Sequence, residues 1–424
     1  MNIMVVGGGG REHAIIKKLK ENPRVETIYA LPGNGGIAQD AVCVAIGAKD
    51  LDGVCAFAAD HRIDYAVVAP DDPLALGLVD RLEAIGVPCF GPRKNAAIIE
   101  GSKAFSKSLM KKYGIPTAAY EIFTDMDAAI DYVRSGSGAV VVKADGLALG
   151  KGVFVCANRD EAEQAVRSIM GERIFGESGA KVVVEEFLEG PEVSVLSFTD
   201  GNVVVPMVSS MDHKRALDGD EGPNTGGMGA IAPNPFYTQE VAERCMKEIF
   251  LPTIRAMKAE GRTFRGCLYF GLMLTKDGPK VIEYNCRFGD PETQVVLPLL
   301  KTDLLTVMQA TTSGTLDRLN VEFDTGAACC VILASGGYPT HYEKGKEIVV
   351  TDEEKLRGAT VYHAGTALKD GRLVTSGGRV LGVTCTAPTL SEAVKKAYDA
   401  ASGITFEGVH FRKDIGARAL REVK

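Results

Sequence analysis

No apolar run in this 424-residue chain approaches the about 18 residues that a membrane helix needs, so no membrane span is expected. There is no excess of basic residues either. With 55 Asp and Glu against 48 Lys and Arg, the formal charge is −7, which argues against a nucleic-acid surface or a polybasic anchor. The ten cysteines include no CxxC pair, and no His/Cys cluster falls at zinc spacing. Most sit inside apolar segments, as small core residues do in a reducing compartment. The opening MNIMVVGGGG carries no charged leader and no cleavage site, so no signal peptide is expected and the protein is read as cytoplasmic.

Common phosphate and nucleophile signatures are missing too. GxxxxGK[ST] does not occur. The third glycine of a G-x-G-x-x-G fingerprint is Glu12 when counted from Gly7 and His13 when counted from Gly8. The second strand ends in Ala30-Leu31 rather than in the acid that holds a ribose, so dinucleotide binding is not supported. Neither a Ser/His/Asp nor a Cys/His array stands out, which leaves no covalent nucleophile to assign.

What is present reads as soluble globular protein, 46% hydrophobic and 24% charged, long enough for two to four domains. Residues 1 to about 100 alternate β-branched runs (2–6, 27–30, 41–44, 65–69) with helical stretches (12–21, 51–60, 74–85), the rhythm of a parallel sheet with helices on both faces. Gly7–Gly10, followed by Arg11 and a helix, suit either a single phosphate at the helix N-terminus or a plain strand-to-helix turn. His13 is read as structural.

A second unit begins near Gly91-Pro92, with helices expected at 103–113, 125–133, 160–169 and 239–260. Strands are expected at 139–143, 153–156, 181–186, 266–274 and 280–284. Inside it, VVVKADGLALGKG (140–152) delivers Lys143 from a β-branched run into a loop holding Gly146, Gly150, Lys151 and Gly152. Such a loop is either a phosphate cup or a glycine-rich hairpin with surface lysines. The acids Glu185, Glu186 and Glu192 close the 181–186 strand or follow it. Met211 to Ala230 lacks periodicity and is read as an active-site loop. Alternation puts Glu283 and Asn285 on one face of the 280–284 strand. A carboxylate and an amide oxygen there suit a hard cation shared with nucleotide phosphates, and Arg287 follows on the same parity. From about Asp324 a small α+β unit is expected, with strands at 327–334, 360–362, 372–375 and 379–385 and a helix at 391–401.

The blocks GGGGREHA, PGNGG, GSKAFSK, KADGLALGKGV, EEFLEGPE, DHKRALDGDEGPNTGGMGA, EYNCRFGDPETQ, HAGT and GGRVL occur in order from residue 7 to residue 382. Together they resemble the ATP-grasp enzymes, and within them the phosphoribosylamine–glycine ligase family of purine synthesis. The resemblance implies a multidomain α/β and α+β fold. It comprises a Rossmann-like N-terminal domain (1–101), an ATP-grasp domain (102–323) with a lid subdomain at about 115–190, and an α+β C-terminal domain (324–424). It implies a monomer that takes ATP, Mg²⁺ or Mn²⁺, glycine and 5-phosphoribosylamine. By motif match, Lys103 and Lys143 would contact ATP phosphates under the lid glycines Gly146, Gly150 and Gly152. Glu185, Glu186, Phe187 and Leu188 would hold adenine, and Glu192 the ribose. Glu283 and Asn285 would bind metal, and Arg287, Asp212, Lys214 and Asp290 would surround glycine and its acyl phosphate. Asn224, Thr225 and Gly226 would contact substrate, and Gly8, Gly9 and Gly10 the phosphoribosylamine. Three departures stand out: Asp71 where the family more often has Glu, Leu149 for an alanine in the lid, and Pro191 for an acid before Glu192. The competing readings are another ATP-grasp reaction, against which the DHKR…PNTGGMG loop argues, and a non-catalytic nucleotide sensor, against which Glu283, Asn285 and Lys143 argue.

Overall fold

The β-branched runs of the first hundred residues pair as a fully parallel sheet. In the computed structural model, which describes residues 1–136, 138–147 and 152–422, Asn2–Gly7 is its central strand. Thr27–Pro32 and Val42–Cys43 lie on one side of it, Tyr65–Val68 and Cys89–Phe90 on the other. Ile3, Met4, Val5 and Val6 are all fully buried, as a strand covered on both faces requires. The helix expected at 74–85 is two helices, Asp71–Leu76 and Leu78–Ala84, because Gly77 between them adopts φ +93°. The fifth strand, Cys89–Phe90, is one that the sequence pattern did not reveal.

Helix Lys94–Gly101 leads into helix Lys103–Tyr113, whose N-cap Ser102 accepts a hydrogen bond from the Phe105 amide. An antiparallel sheet follows, in the order Tyr120–Phe123, Val182–Glu186, Val140–Ala144, Val153–Cys156. Val142, Ala144, Val182 and Val184 bury one face beneath helices Met126–Ser135 and Arg159–Val166, in a small core of its own. Alternation sends Lys143 and Glu185 to the other face.

A second antiparallel sheet runs Val204–Pro206, Glu192–Thr199, Gly266–Thr275, Gly278–Asn285. Its last pair is bulged: Gly271 faces Glu283 and Leu272 faces Val281, which leaves Ile282 as the extra residue. The helix expected at 239–260 contains a π turn, Met246–Phe250, between Gln239–Cys245 and Leu251–Ala259. Pro252 lacks the amide that would bond to the Glu248 carbonyl in a regular α-helix.

The third sheet runs across residue 323, where the sequence suggests a division. Its order is Met211–Asp212, Gly229–Ala232, Ala327–Ala334, Arg379–Ala387, Ala359–His363, antiparallel throughout. The 211–230 segment is therefore not an unstructured loop. Its two ends are strands of this sheet, and Arg215–Leu217 pairs with Glu221–Asn224 as a hairpin between them. Glycines hide the strands in the sequence: at Gly229 (φ +155°) a Cβ would lie 2.6 Å from the Cys330 carbonyl oxygen. Helix Leu390–Ala401 covers the sheet with Ala393, Ala397, Ala400 and Ala401. Among the described residues, no helix is long and apolar enough to cross a membrane.

Candidate active site

A cleft of about 740 Å³ opens between the two antiparallel sheets. Lys103, Lys143, Gly146, Gly152, Glu185, Glu186, Phe187, Leu188 and Glu192 line it, and so do Asp212, Lys214, Asn224, Thr225, Gly226, Glu283, Asn285, Arg287 and Asp290. Residues from five separate sequence blocks thus meet in one space. Gly150, like Leu149 and Lys151, lies outside the described residues.

The bulge prepares the lysine end of the cleft. The Ile282 carbonyl accepts a hydrogen bond from Lys143 Nζ at 2.9 Å, so the extra residue links the two sheets. Lys143 also pairs with Glu185 (2.9 Å), whose second oxygen meets Lys107 Nζ at 3.0 Å. Lys107 was not singled out from the sequence. It lies one helical turn after Lys103, the i,i+4 spacing that puts both on one face, and burial lowers its pKa to about 8. Lys103 donates to the Gly146 carbonyl at 2.8 Å, and burial together with the nearby Lys143 lowers its pKa. Three ammonium groups against one buried carboxylate leave this wall cationic, suited to a polyphosphate. Beside it, Phe187 is 41% exposed, and neither Phe187 nor Leu188 makes a backbone–backbone hydrogen bond among the described residues. Their peptide groups remain open to a planar heterocycle.

Glu283 faces the same cations. Lys214 (3.4 Å) chiefly, then Lys143 and Lys103, lower its pKa despite burial. Burial alone would lower Lys214, but Glu192 (3.3 Å) and Glu283 outweigh it and raise its pKa well above the usual lysine value. A Cβ on Gly271 would fall 2.7 Å from Glu283 Cγ, so glycine on the neighbouring strand leaves the carboxylate its space. Asn285 Oδ1 accepts from Arg287 Nη2 at 3.2 Å, and an amide oxygen retains a second lone pair. An ionised carboxylate and an amide oxygen on one strand face fit a hard divalent cation that takes its remaining ligands from phosphates and water. No cluster of three or more His, Cys, Asp or Glu poised for a metal occurs among the described residues.

The far end of the cleft carries a second group of charged side chains. Arg287 donates to the Phe288 carbonyl (3.1 Å) and pairs with Glu100 (3.0 Å). Asp212 has one buried carboxylate oxygen with no hydrogen-bond partner among the described residues. Burial and the neighbouring Glu292 raise its pKa well above the ordinary range; Glu292 is itself raised by burial. Burial alone would raise Asp290, yet Arg379 and Arg11 hold its pKa down. Arg379 spans the carbonyls of Gly226 (2.8 Å) and Asp290 (2.7 Å), joining the 211–230 segment to the C-terminal strand Arg379–Ala387. Thr225 Oγ1 donates to the Lys214 carbonyl and accepts from the Gly227 amide, fixing the turn that presents Asn224 and Gly226. Sequence reading passes over Glu100 and Glu292, and takes the Gly377-Gly378-Arg379 turn as explained by turn geometry alone. His213 is structural: it contacts the Gly229 carbonyl and accepts from the Gly416 amide.

At the amino-terminal glycines the Gly9 amide donates to Glu12 (2.6 Å) and the Arg11 amide to Asp290 (3.3 Å), so carboxylates occupy two of the amides at this helix end. Gly8 and Gly9 do line a second cavity, of about 420 Å³, with Gly33, Asn34, Ala364 to Thr366, Ser376 and Arg379. Gly10 does not line it; a Cβ there would strike Gln294 at 2.7 Å. Asp290, Tyr338 and Arg379 line both cavities. His13 accepts from the His363 amide (2.8 Å) and contacts Asp40 (2.9 Å), a structural tie to the C-terminal sheet.

A nucleotide-sized cleft between two antiparallel sheets, with Lys143 on one, a Glu/Asn pair on the other and Lys103 on an adjoining helix, is the architecture of the ATP-grasp class. Family models match in three consecutive parts: the N domain (residues 1–100), the ATP-grasp (A) domain (101–293) and the C domain (328–418) of phosphoribosylglycinamide synthetase. The chain belongs to the phosphoribosylglycinamide synthetase family. It is 49% identical over 417 residues to phosphoribosylamine–glycine ligase of Caldanaerobacter subterraneus, covering 98% of this chain and 100% of that protein. It is 49% identical to the trifunctional purine biosynthetic protein adenosine-3 of Gallus gallus, covering 99% of this chain and 42% of that protein. The crystal structure of phosphoribosylamine–glycine ligase from Thermotoga maritima superimposes with a TM-score of 0.84 at 37% identity, over 98% of this chain and 100% of that one.

Proposed function

We propose that this chain ligates glycine to 5-phosphoribosylamine at the expense of ATP, giving N1-(5-phosphoribosyl)glycinamide, ADP and phosphate, as a carbon–nitrogen ligase of purine biosynthesis. The observation that carries this reading is the adjacency of the two cavities. A cationic cleft fit for a nucleotide and a small acid shares Asp290, Tyr338 and Arg379 with a second chamber fit for the amine. Lys103 and Lys143 neutralise ATP phosphates beside Gly146 and Gly152, the Phe187–Leu188 backbone takes adenine, and Glu192 takes the ribose hydroxyls. Glu283 and Asn285 hold Mg²⁺ or Mn²⁺, which when bound supplies further neutralisation of phosphate charge. Arg287 and Lys214 face the glycine carboxylate and the glycyl phosphate formed from it. Asp212 and Asp290 face the amino groups, and Asn224, Thr225 and Gly226 close over the acid. Catalysis on this reading is positioning plus charge neutralisation, with no covalent protein intermediate. Gly8 and Gly9 border the phosphoribosylamine. We further propose that the three units near 1–101, 102–323 and 324–424 act within one monomer, in the cytoplasm. In a coupled assay, ADP release is expected to require glycine together with freshly generated phosphoribosylamine; turnover with bicarbonate or formate in place of glycine overturns the reading.

A further inference from the structure

One carboxylate outside the assigned site touches it at two points. Glu100 belongs to helix Lys94–Gly101, in the amino-terminal part of the chain. Its Oε1 lies 3.0 Å from Arg287 Nη2, and its Oε2 accepts the Cys286 amide at 2.7 Å. The side chain of Glu100 is 8% exposed and that of Arg287 is 19% exposed. Cys286 is the peptide between Asn285 and Arg287, so one carboxylate grips both the backbone and the guanidinium of this strand end. The same Nη2 donates to Asn285 Oδ1, which continues the contact to the second residue assigned to the metal. Arg287 Nε is buried without a partner among the described residues, a donor left free on the guanidinium that Glu100 anchors. Asp71, also in the cleft lining, adds negative charge near both.

We propose that Glu100 is a positioning residue that fixes the Arg287 guanidinium toward the acid substrate from across the unit boundary. A long arginine holds one rotamer at an entropic cost, and a two-point carboxylate contact met before substrate arrives removes that cost from the binding step. Only two residues separate Glu100 from Lys103, so the acid end and the phosphate end of the cleft hang from one short segment. The proposal rests on the assignment of Arg287 to glycine, and the two can fail separately: ligation of glycine by the unaltered protein tests the assignment, and the variants below test Glu100.

Glu100→Gln keeps the side-chain length and an acceptor for the Cys286 amide but removes the anion. Steady-state kinetics with phosphoribosylamine formed in situ are expected to show KM for glycine raised about tenfold or more, with KM for ATP within about twofold of the unaltered value. Glu100→Asp should recover part of the loss. On an Arg287→Lys background, Glu100→Gln should add less than about twofold, because the two residues act as one unit. Equal rises in the glycine and ATP KM values, an unchanged glycine KM, or full additivity with Arg287→Lys overturns the proposal. Should Glu100→Gln fail to fold, Glu100→Asp is read in the same way, since its shorter reach alone must separate the two KM values.

Discussion

Glu283 illustrates how a single side chain depends on charges drawn from distant parts of the chain. Lys214, Lys143 and Lys103 come from three blocks, and their combined field favours the ionised carboxylate inside the cleft. Glu283→Gln is therefore expected to cut ligation by about 10²-fold or more, with the nucleotide-free melting temperature nearly unchanged because Lys214 keeps Glu192. A large fall in that temperature would make Glu283 a structural residue instead. His213 sets a pH dependence of stability. Burial lowers its folded pKa to about 4, so the unfolded chain takes up a proton first, near pH 6.5. Stability should fall as pH drops from about 6.5 to 4, by about 3 kcal/mol for this group at most; urea titrations at several pH values measure it, and a His213→Asn variant should flatten the slope. The residues that sequence motifs named are those whose chemistry is visible alone: lysines beside glycines, or Glu and Asn two apart. Lys107, Glu100 and Glu292 were not legible, because each matters through a partner from 70 to 190 or so positions away, and no spacing in the chain announces such a pairing.

Among the elements, strong β-branched or amphipathic periodicity gave reliable boundaries, as at Leu51–Asp60, Lys103–Tyr113 and Ala327–Ala334. What escaped were elements whose pattern glycine or proline interrupts: the break at Gly77, the π turn before Pro252, and the strands of 211–230. The bulge at Ile282 was equally invisible, since one extra residue changes no composition, yet it supplies the carbonyl that Lys143 uses. Facing that bulge, Gly271 provides room rather than chemistry. Gly271→Ala would drive a methyl into Glu283 Cγ at 2.7 Å and Tyr269 at 3.3 Å. Its expected effect is an increase of about tenfold in the Mg²⁺ or Mn²⁺ concentration that supports half-maximal ligation, with apparent ATP affinity in the absence of metal unaltered. Loss of metal-free nucleotide binding to the same extent would show a general collapse of the cleft.

The whole molecule is less divided than three consecutive family domains suggest. Met228 and Ile231 pack with Val331, Leu333, Val383 and Ala397 in one core, and Gly229–Ala232 has Ala327–Ala334 as its neighbour strand. A chain truncated after residue 326 should leave an open strand edge and apolar side chains facing water, and it is expected to aggregate on expression. A soluble, monomeric truncation by sedimentation would contradict this. The sheet from Tyr120–Phe123 to Val182–Glu186 is the opposite case, since helices Met126–Ser135 and Arg159–Val166 close their own small core over it.

The stitching of 211–230 into the carboxy-terminal sheet bears on redesign of substrate choice. Transplanting the segment between relatives to change the accepted acid would carry its flanking strands into a foreign sheet register, where a one-residue slip turns Met211 and Ile231 out of the core. The exchangeable cassette is thus discontinuous: the segment, its neighbour strand Ala327–Ala334, and the arginine at 379 that bridges them would have to travel together.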